Sequence, residues 1–291
     1  MMHIKSDVNF TLELSSDMAK TVLVTGATGF IASHTIQQLL AKTDYVVRGT
    51  VRSLKKPDRF AHLTSLPHAN TRLELVEANL LDDKAWAPAV KDCAAVLHIA
   101  SPFLLTLHDP QKDLVEPAER GTENVLRAAI AEDSVKDIVL TSSLAAIADA
   151  PVDGKVFTEA DWNTLSSLTR NPYCYSKVRG EQKAWELLKN VSDKRLVVLN
   201  PFLVTGPSLT KTINPSVGTF VDMFNGKVPA MANLSMGFVD VWDVAWAHVL
   251  ALTNPNAKGR HILCNEVQSM QQVVETLRTK FPNAKYLVYC T

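Results

Sequence analysis

Apolar residues in this chain fall into two recurring textures. Short, nearly unbroken apolar runs stand at "TVLVTG" (21–26), "YVVRGTVR" (45–52), "RLELVEA" (72–78), "AAVLHIA" (94–100), "DIVLTSS" (137–143) and "RLVVLNP" (195–201). Among them lie longer stretches with helical spacing: "FIASHTIQQLLAK" (30–42), "VEPAERGTENVLRAAIAED" (115–133) and "YSKVRGEQKAWELLKN" (175–190). In the second of these, Val125, Ala128, Ala129 and Glu132 fall at i, i+3, i+4 and i+7, on one helix face. A strand with one wet face alternates, whereas a strand buried on both faces reads as a continuous apolar run. Runs of the second kind, separated by helices, predict an α/β fold whose doubly wound parallel sheet is covered on both sides.

From Pro201 onward the texture changes. "PFLVTGPSLTKTINPSVG" (201–218) is rich in Pro, Gly, Ser and Thr and reads as loops. A helix at about 241–252, a strand at "GRHILC" (259–264) and a helix at 269–281 follow. No internal repeat is visible.

Composition narrows the field. The 291 residues are 46% apolar and 21% charged, ordinary for a globular protein. Lys+Arg and Asp+Glu balance at 30 each, so no global field draws the chain to nucleic acid or an acidic membrane. Cys93, Cys174, Cys264 and Cys290 stand far apart with no Cys-x-x-Cys, which reads as free thiols in a reducing compartment rather than a disulfide framework or metal site. The opening "MMHIKSDVNFTLELSSDMAK" lacks the apolar core of a signal peptide, and its acids count against a transit peptide. No apolar run reaches the ~18 residues that span a bilayer. The expected location is the cytoplasm.

The first strand runs directly into "GATGFIASH" (26–34). Gly26 permits a tight turn, Gly29 lets backbone approach a pyrophosphate, and Ala32 is small enough for helix–strand packing. The following helix N-terminus offers unpaired N–H groups and partial positive charge. This is the phosphate-binding turn of a Rossmann fold. NAD sites usually place an acid about 20 residues later to hold the ribose 2′-hydroxyl. Here the second strand ends "RGTVRSLKK" (48–56), with Arg52 at that position, Lys55, Lys56 and Arg59 nearby, and no acid between Tyr45 and Pro57. Basic groups suit a 2′-phosphate, so the expected cofactor is NADP(H).

Residues 172–177 read "PYCYSK", placing Tyr173 four positions before Lys177. On a helix these share a face and can meet one ligand. A phenol titrates near ~10 and needs help to exchange protons at neutral pH. A cation ~4 Å away contributes roughly 4 kcal/mol at an effective dielectric of ~20, enough to supply that help. A third group should orient a substrate carbonyl. "VLTSSLAA" ends a mid-sheet strand, where ligands bind in such folds, and Ser143 is the candidate.

In these features the chain resembles the extended short-chain dehydrogenase/reductase family over about residues 20–283. Within it, the branch of dihydroflavonol reductases, cinnamoyl-CoA reductases and NADPH-dependent aldehyde/ketone reductases is most similar. The landmarks are "TGATGFIASH", "VRGTVRS", "LHIASP", "VLTSS", "YCYSK", "VVLNPFLVTGP" and "VDVWDVAWAHV". The resemblance implies Ser143, Tyr173 and Lys177 as the catalytic set. It also implies that Gly26, Thr28, Gly29, Phe30, Ile31, Arg52, Lys56, Asn79, Leu80, Ala100, Ser101, Tyr173, Lys177 and Pro201 lie along the cofactor. Asn79 stands where the branch usually has Asp, and an amide can still meet the adenine. "NPYCYSK" departs from the "NWYCYGK" of cinnamoyl-CoA reductases, and Trp242 replaces the usual arginine of "VDVRDVA". Both changes argue against a CoA thioester substrate.

These readings divide the chain into a poorly ordered extension (1–19), an NADP-binding Rossmann domain (20–201) and a mainly substrate-binding C-terminal cap (202–291) that can return an edge strand to the sheet. The expected activity is NADPH-dependent reduction of an aldehyde or ketone. Two alternatives remain: a nucleotide-sugar epimerase or dehydratase, which would want arginines that residues 202–240 lack, and a catalytically silent NADP-binding sensor. The expected partner is a small carbonyl compound with an apolar body, near Phe103, Leu104, Leu105, Phe202, Met223, Phe224 and Met231, and a homodimer is one possible assembly. His34, His98 and His248 read as packed histidines, Trp242 and Trp246 as core, and Asn124 as support for the helix beside the site or simple packing.

Overall fold

The computed structural model describes residues 19–101, 108–211, 213, 215–227 and 234–283. The expectations placed on residues 1–18, Phe103, Leu104, Leu105 and Met231 lie outside the described residues.

Strands β1 (Thr21–Val24), β2 (Val46–Val51), β3 (Leu73–Glu77), β4 (Cys93–His98), β5 (Asp137–Thr141), β6 (Arg195–Pro201) and β9 (Gly259–Leu263) form one sheet in the order β3-β2-β1-β4-β5-β6-β9. Every pairing in it is parallel. A smaller sheet joins β10 (Glu266–Ser269) antiparallel to β8 (Ser235–Asp240), which pairs in parallel with β7 (Leu203–Thr205). The longer helices are α1 (Phe30–Lys42), α2 (Glu116–Ala131), α3 (Pro172–Leu188), α4 (Pro215–Phe224), α5 (Val241–Thr253) and α6 (Met270–Lys280).

The apolar strands divide their side chains between two cores. Val22, Val24, Val47 and Leu97 pack with Ile36, Leu39 and Val249 on the α1/α5 side. Leu23, Val96, Ile138 and Val198 pack with Trp86, Val125, Leu126 and Ala184 on the α2/α3 side. Each such side chain contributes roughly 1.5–3 kcal/mol on burial, so the alternation within each continuous run is what fastens both helical layers to the sheet.

Two boundaries and one packing expectation are corrected. Helix α3 begins at Pro172 rather than at Tyr175, because Pro172 at the first helical position has its φ preset and no N–H to lose. Tyr173 therefore lies in the first turn. Helix α2 starts at Glu116 after a π-helical segment, Gln111–Val115. Trp242 and Trp246 are not core: they remain 40% and 39% exposed. Helix α5 buries Val241, Val244, Ala245, His248 and Val249 instead, and Trp242 touches α1 only edge-on, at His34, while staying partly exposed.

Candidate active site

The chain runs β1, β2, β3 outward and then returns to place β4 on the other side of β1. The C-terminal ends of β1 and β4 thus flank the point where the winding reverses, the usual ligand crevice of such sheets.

The turn after β1 is held mainly by backbone and two threonines, Thr50 and Thr25. Gly26 has φ +66°, a left-handed conformation, and a Cβ placed there would stand 3.0 Å from the Ala100 Cβ. Its N–H donates to Thr50 Oγ1 at 2.9 Å, and Ala27 N–H donates to Thr50 O at 2.8 Å. Gly29 closes the turn on Gly26 O at 2.8 Å and caps α1 without a side chain. The first turn of α1 holds no acid, so its amides keep their partial positive charge. Thr28 and Gly29 are exposed. Phe30 and Ile31 lean on Val204, Val239 and Val241, which roots the start of α1 in the C-terminal segment.

Thr25 ties this turn to β4. Its hydroxyl accepts from Ile99 N–H at 3.0 Å and Ala100 N–H at 2.9 Å, and lies 3.0 Å from His98 Nδ1. With two amides donating to the oxygen, the hydroxyl hydrogen goes to Nδ1, which makes His98 a neutral ring. Complete burial, aided by the Lys177 charge, pushes the His98 pKa down to about 3. His248 is equally packed, with Nδ1 2.7 Å from Val244 O and its pKa lowered by burial to about 4. His34 is buried with Nδ1 3.0 Å from Phe30 O, and its ring meets Trp242 edge-on.

Arg52 follows the last residue of β2 and is exposed, as is Lys56. Glu77 at the end of β3 accepts from Leu54 N–H at 2.5 Å and so orders the loop that carries them. Asn79 is exposed, with Oδ1 taken by Leu81 N–H at 3.1 Å. Asn124 donates from α2 to Leu80 O at 3.1 Å, so it supports the neighbouring loop rather than its own helix. Leu80 itself lies against Gly121, where any Cβ would stand 2.6 Å from Leu80 Cγ.

Ser143 caps a short 3-10 turn, its Oγ accepting from Ala145 N–H at 3.2 Å while its O–H remains a donor. Tyr173 is 38% exposed rather than turned into the core. Lys177 Nζ lies 5.4 Å from the centre of the Tyr173 ring and donates to Ser101 Oγ at 2.8 Å. One cleft is lined by Leu80, Ala100, Ser101, Ser142 and Lys177. Ser143 and Tyr173 lie outside that lining, on the segments that carry Ser142 and Lys177, and Arg52, Lys56 and Asn79 stand apart at the ends of β2 and β3. Pro201 closes β6 opposite Leu263. Among the described residues no cluster of metal-ligating side chains occurs, and burial raises the Cys93 thiol to about 11, so it is no nucleophile.

The sequence signals missed Thr25, Thr50, Glu77, Glu181, Asn200 and Arg260. One was readable: Glu181 falls among Val178, Ala184 and Leu188 on the buried side of α3, and a lone carboxylate in such a stripe demands a partner. Of the apolar candidates, Met223 is buried and Phe202 lies on Gly237, while Phe224 meets Phe281 edge-on. A separate cavity of about 430 Å³ sits in the C-terminal segment between Phe220, Phe238, Val239, Asp240 and Val273.

A doubly wound parallel sheet with a left-handed glycine and an uncapped helix N-terminus at its switch point defines a dinucleotide-binding protein. The chain belongs to the NAD dependent epimerase/dehydratase family, whose profile matches residues 22–264. It is 39% identical over 284 residues to cinnamoyl-CoA reductase CAD2 of Medicago truncatula, covering 95% of this chain and 85% of that protein. Among solved structures it is similar to Gre2 of Candida albicans in complex with NADPH, with TM-score 0.83 and 34% identity over 92% of this chain and 86% of that one. The yeast methylglyoxal/isovaleraldehyde reductase Gre2 complexed with NADPH gives TM-score 0.79 and 31% identity over 90% and 83%. Among the described residues no helix is long and apolar enough to cross a membrane.

Proposed function

We propose that this chain is an NADPH-dependent reductase of aldehydes or ketones in which Ser143, Tyr173 and Lys177 act on the carbonyl. The observation that carries the reading is the position of Lys177, between Ser101 Oγ at 2.8 Å and the Tyr173 ring at 5.4 Å, on the edge where the glycine turn opens. NADPH, when bound, supplies the hydride. The uncapped amides after Gly29 suit its pyrophosphate, since a side chain at Gly26 would close the turn against Ala100. Thr28, Gly29, Phe30 and Ile31 would hold the phosphates, Arg52 and Lys56 the 2′-phosphate, Asn79 and Leu80 the adenine, and Ala100, Ser101 and Pro201 the nicotinamide side. With Oδ1 of Asn79 engaged by Leu81, its amide nitrogen is the end left to meet the base.

Ser143 and Tyr173 donate hydrogen bonds to the carbonyl oxygen, which gains charge as it is reduced. Tyr173 delivers the proton, and the Lys177 ammonium favours the phenolate that remains. Holding the carbonyl in place supplies much of the rate gain. The substrate is a small carbonyl compound with an apolar body, a reading supported by the likeness to the yeast methylglyoxal/isovaleraldehyde reductase. Residues 20–201 act as the cofactor domain and 202–291 mainly hold the substrate, although β9 joins the main sheet and α5 packs on α1. The free thiols Cys93, Cys174 and Cys264 suit a reducing cytoplasm. Two copies would meet through α2 and α3, which lie side by side; sedimentation showing a monomer would remove that part alone.

The deciding experiment is Tyr173→Phe. Turnover in an NADPH-oxidation assay with aromatic and aliphatic carbonyls falls by about 10²–10⁴-fold, the usual share of a general acid, while NADPH affinity stays within about twofold. Near-normal turnover refutes the assignment.

A further inference from the structure

One polar cluster lies outside the proposed catalytic group, and its Glu181 and Ser142 line the same cleft as Lys177. Glu181 is 1% exposed and sits two helical turns after Tyr173 on α3. Its carboxylate accepts from four side chains on four segments. Oε2 receives Ser142 Oγ at 2.6 Å and Asn200 Nδ2 at 2.8 Å. Oε1 receives Trp185 Nε1 at 3.1 Å and Arg260 Nε at 2.6 Å. Only an ionised carboxylate accepts from so many donors without giving one back. Arg260, whose side chain is 7% exposed, supplies the opposite charge.

Three of its arms, Ser142, Asn200 and Arg260, reach the strand end that carries Ser143. Ser142 is its neighbour. Asn200 Nδ2 also donates to Ser143 O at 3.1 Å. Arg260 Nη2 reaches Ala146 O at 3.5 Å, in the turn that Ser143 caps, while Nη1 holds Glu159 O at 2.9 Å and also Asp161 O. The guanidinium lies over the Trp162 ring, 4.0 Å from its centre. A buried ion pair is seldom better for stability than apolar residues of equal volume. This one links the helix bearing Tyr173 and Lys177 to the turn bearing Ser143, across elements far apart in sequence.

We infer that Glu181 and Arg260 are positioning residues that set the placement of Ser143 relative to Tyr173 and Lys177. The inference rests on the catalytic assignment above. Small displacements of reacting groups cost up to about a hundredfold in rate, so the effect belongs in kcat. Glu181→Gln lowers kcat about 10–100-fold and leaves the NADPH dissociation constant within about threefold. In a Ser143→Ala background the same substitution costs less than about threefold, because the group it positions is gone.

A paired Glu181→Leu/Arg260→Met variant removes the charges together and separates stability from placement. It melts within a few degrees of the natural chain, yet its kcat remains about tenfold down. If Glu181→Gln does not fold, Asn200→Ala spares the ion pair and gives the same readout, about tenfold in kcat and suppressed by Ser143→Ala. Full kcat in the paired variant overturns the inference, as does a loss equally large with and without Ser143. Tyr173→Phe keeps the two ideas apart: if it inactivates the enzyme while Glu181→Gln does not, only the positioning role fails. If Tyr173→Phe is itself active, the catalytic assignment fails.

Discussion

The turn after β1 and the turn after β5 lie at the same end of the sheet, with β4 between them, and are built in opposite ways. The first takes its shape from a left-handed glycine, a helix start and bonds to Thr50, residues within one β-α-β unit. Its working groups are backbone amides. The second ends in side chains: Asn200 from β6 donates to Ser143 O and to Glu181 of α3, which in turn accepts from Arg260 of β9. A phosphate needs partial charge spread over several donors, which any backbone of the right conformation offers. A carbonyl under reduction needs two or three particular donors at fixed positions, and fixing them requires interlocked polar side chains. The difference predicts that the first turn fails by sterics and the second by misplacement.

The largest effect expected on this contrast is at Gly26. Gly26→Val forces a branched side chain into a left-handed backbone, costing roughly 1–2 kcal/mol before any clash, and drives it into Ala100. NADPH affinity measured by fluorescence titration falls at least about a hundredfold; affinity within tenfold of normal would mean that the turn does not bind the cofactor. Arg52→Ala probes a side-chain exception at the same end of the sheet. Losing one charge-assisted bond is worth about 1.5–3 kcal/mol, so the NADPH-over-NADH preference drops about tenfold or more, with NADH affinity unchanged. An unaltered ratio would move the 2′-phosphate to Lys56 or its neighbours.

The smallest effect on activity is expected from pH, which acts on stability and tests how rigidly both turns are backed. His98 stands behind the first and His248, bonded to Thr141, behind the second. Their folded pKa values are lowered to about 3 and about 4, mainly by burial. The unfolded chain takes up protons near ~6.5 where the folded chain does not. Stability is therefore full above about pH 6.5 and declines as pH falls toward 4 and then 3, by at most about 1.4 kcal/mol per pH unit for each ring. The melting temperature drops by several degrees from pH 7 to pH 5, and His248→Gln flattens that slope while lowering stability at pH 7. A level profile would mean that these rings open to water.

Much of the first turn was legible. Gly26, Gly29 and the strand–helix alternation are local signals, and the α/β fold was read from them, while the reductase branch was read from a resemblance carried by several motifs together. Tyr173 and Lys177 were legible as a helical pair because four-residue spacing alone puts them on one face. Trp242 and Trp246 were misread, since their spacing names a shared face without saying whether that face meets α1 or solvent. Glu77 was missed as the stay of the Arg52 loop because β2 and β3 meet only in the sheet. Arg260 gave no local sign at all: it reads as one basic residue opening an edge strand.

The amino-acid order by itself determined the elements, the glycine turn and the presence of a tyrosine–lysine pair, because each depends on contacts a few residues apart, and its continuous apolar runs implied a parallel sheet because strands buried on both faces leave that pattern. Only the tertiary structure decided which charges are buried, which indoles face water and what holds Ser143 in place. Those outcomes depend on segments separated by tens of residues, which become neighbours only after the strands have found their order in the sheet.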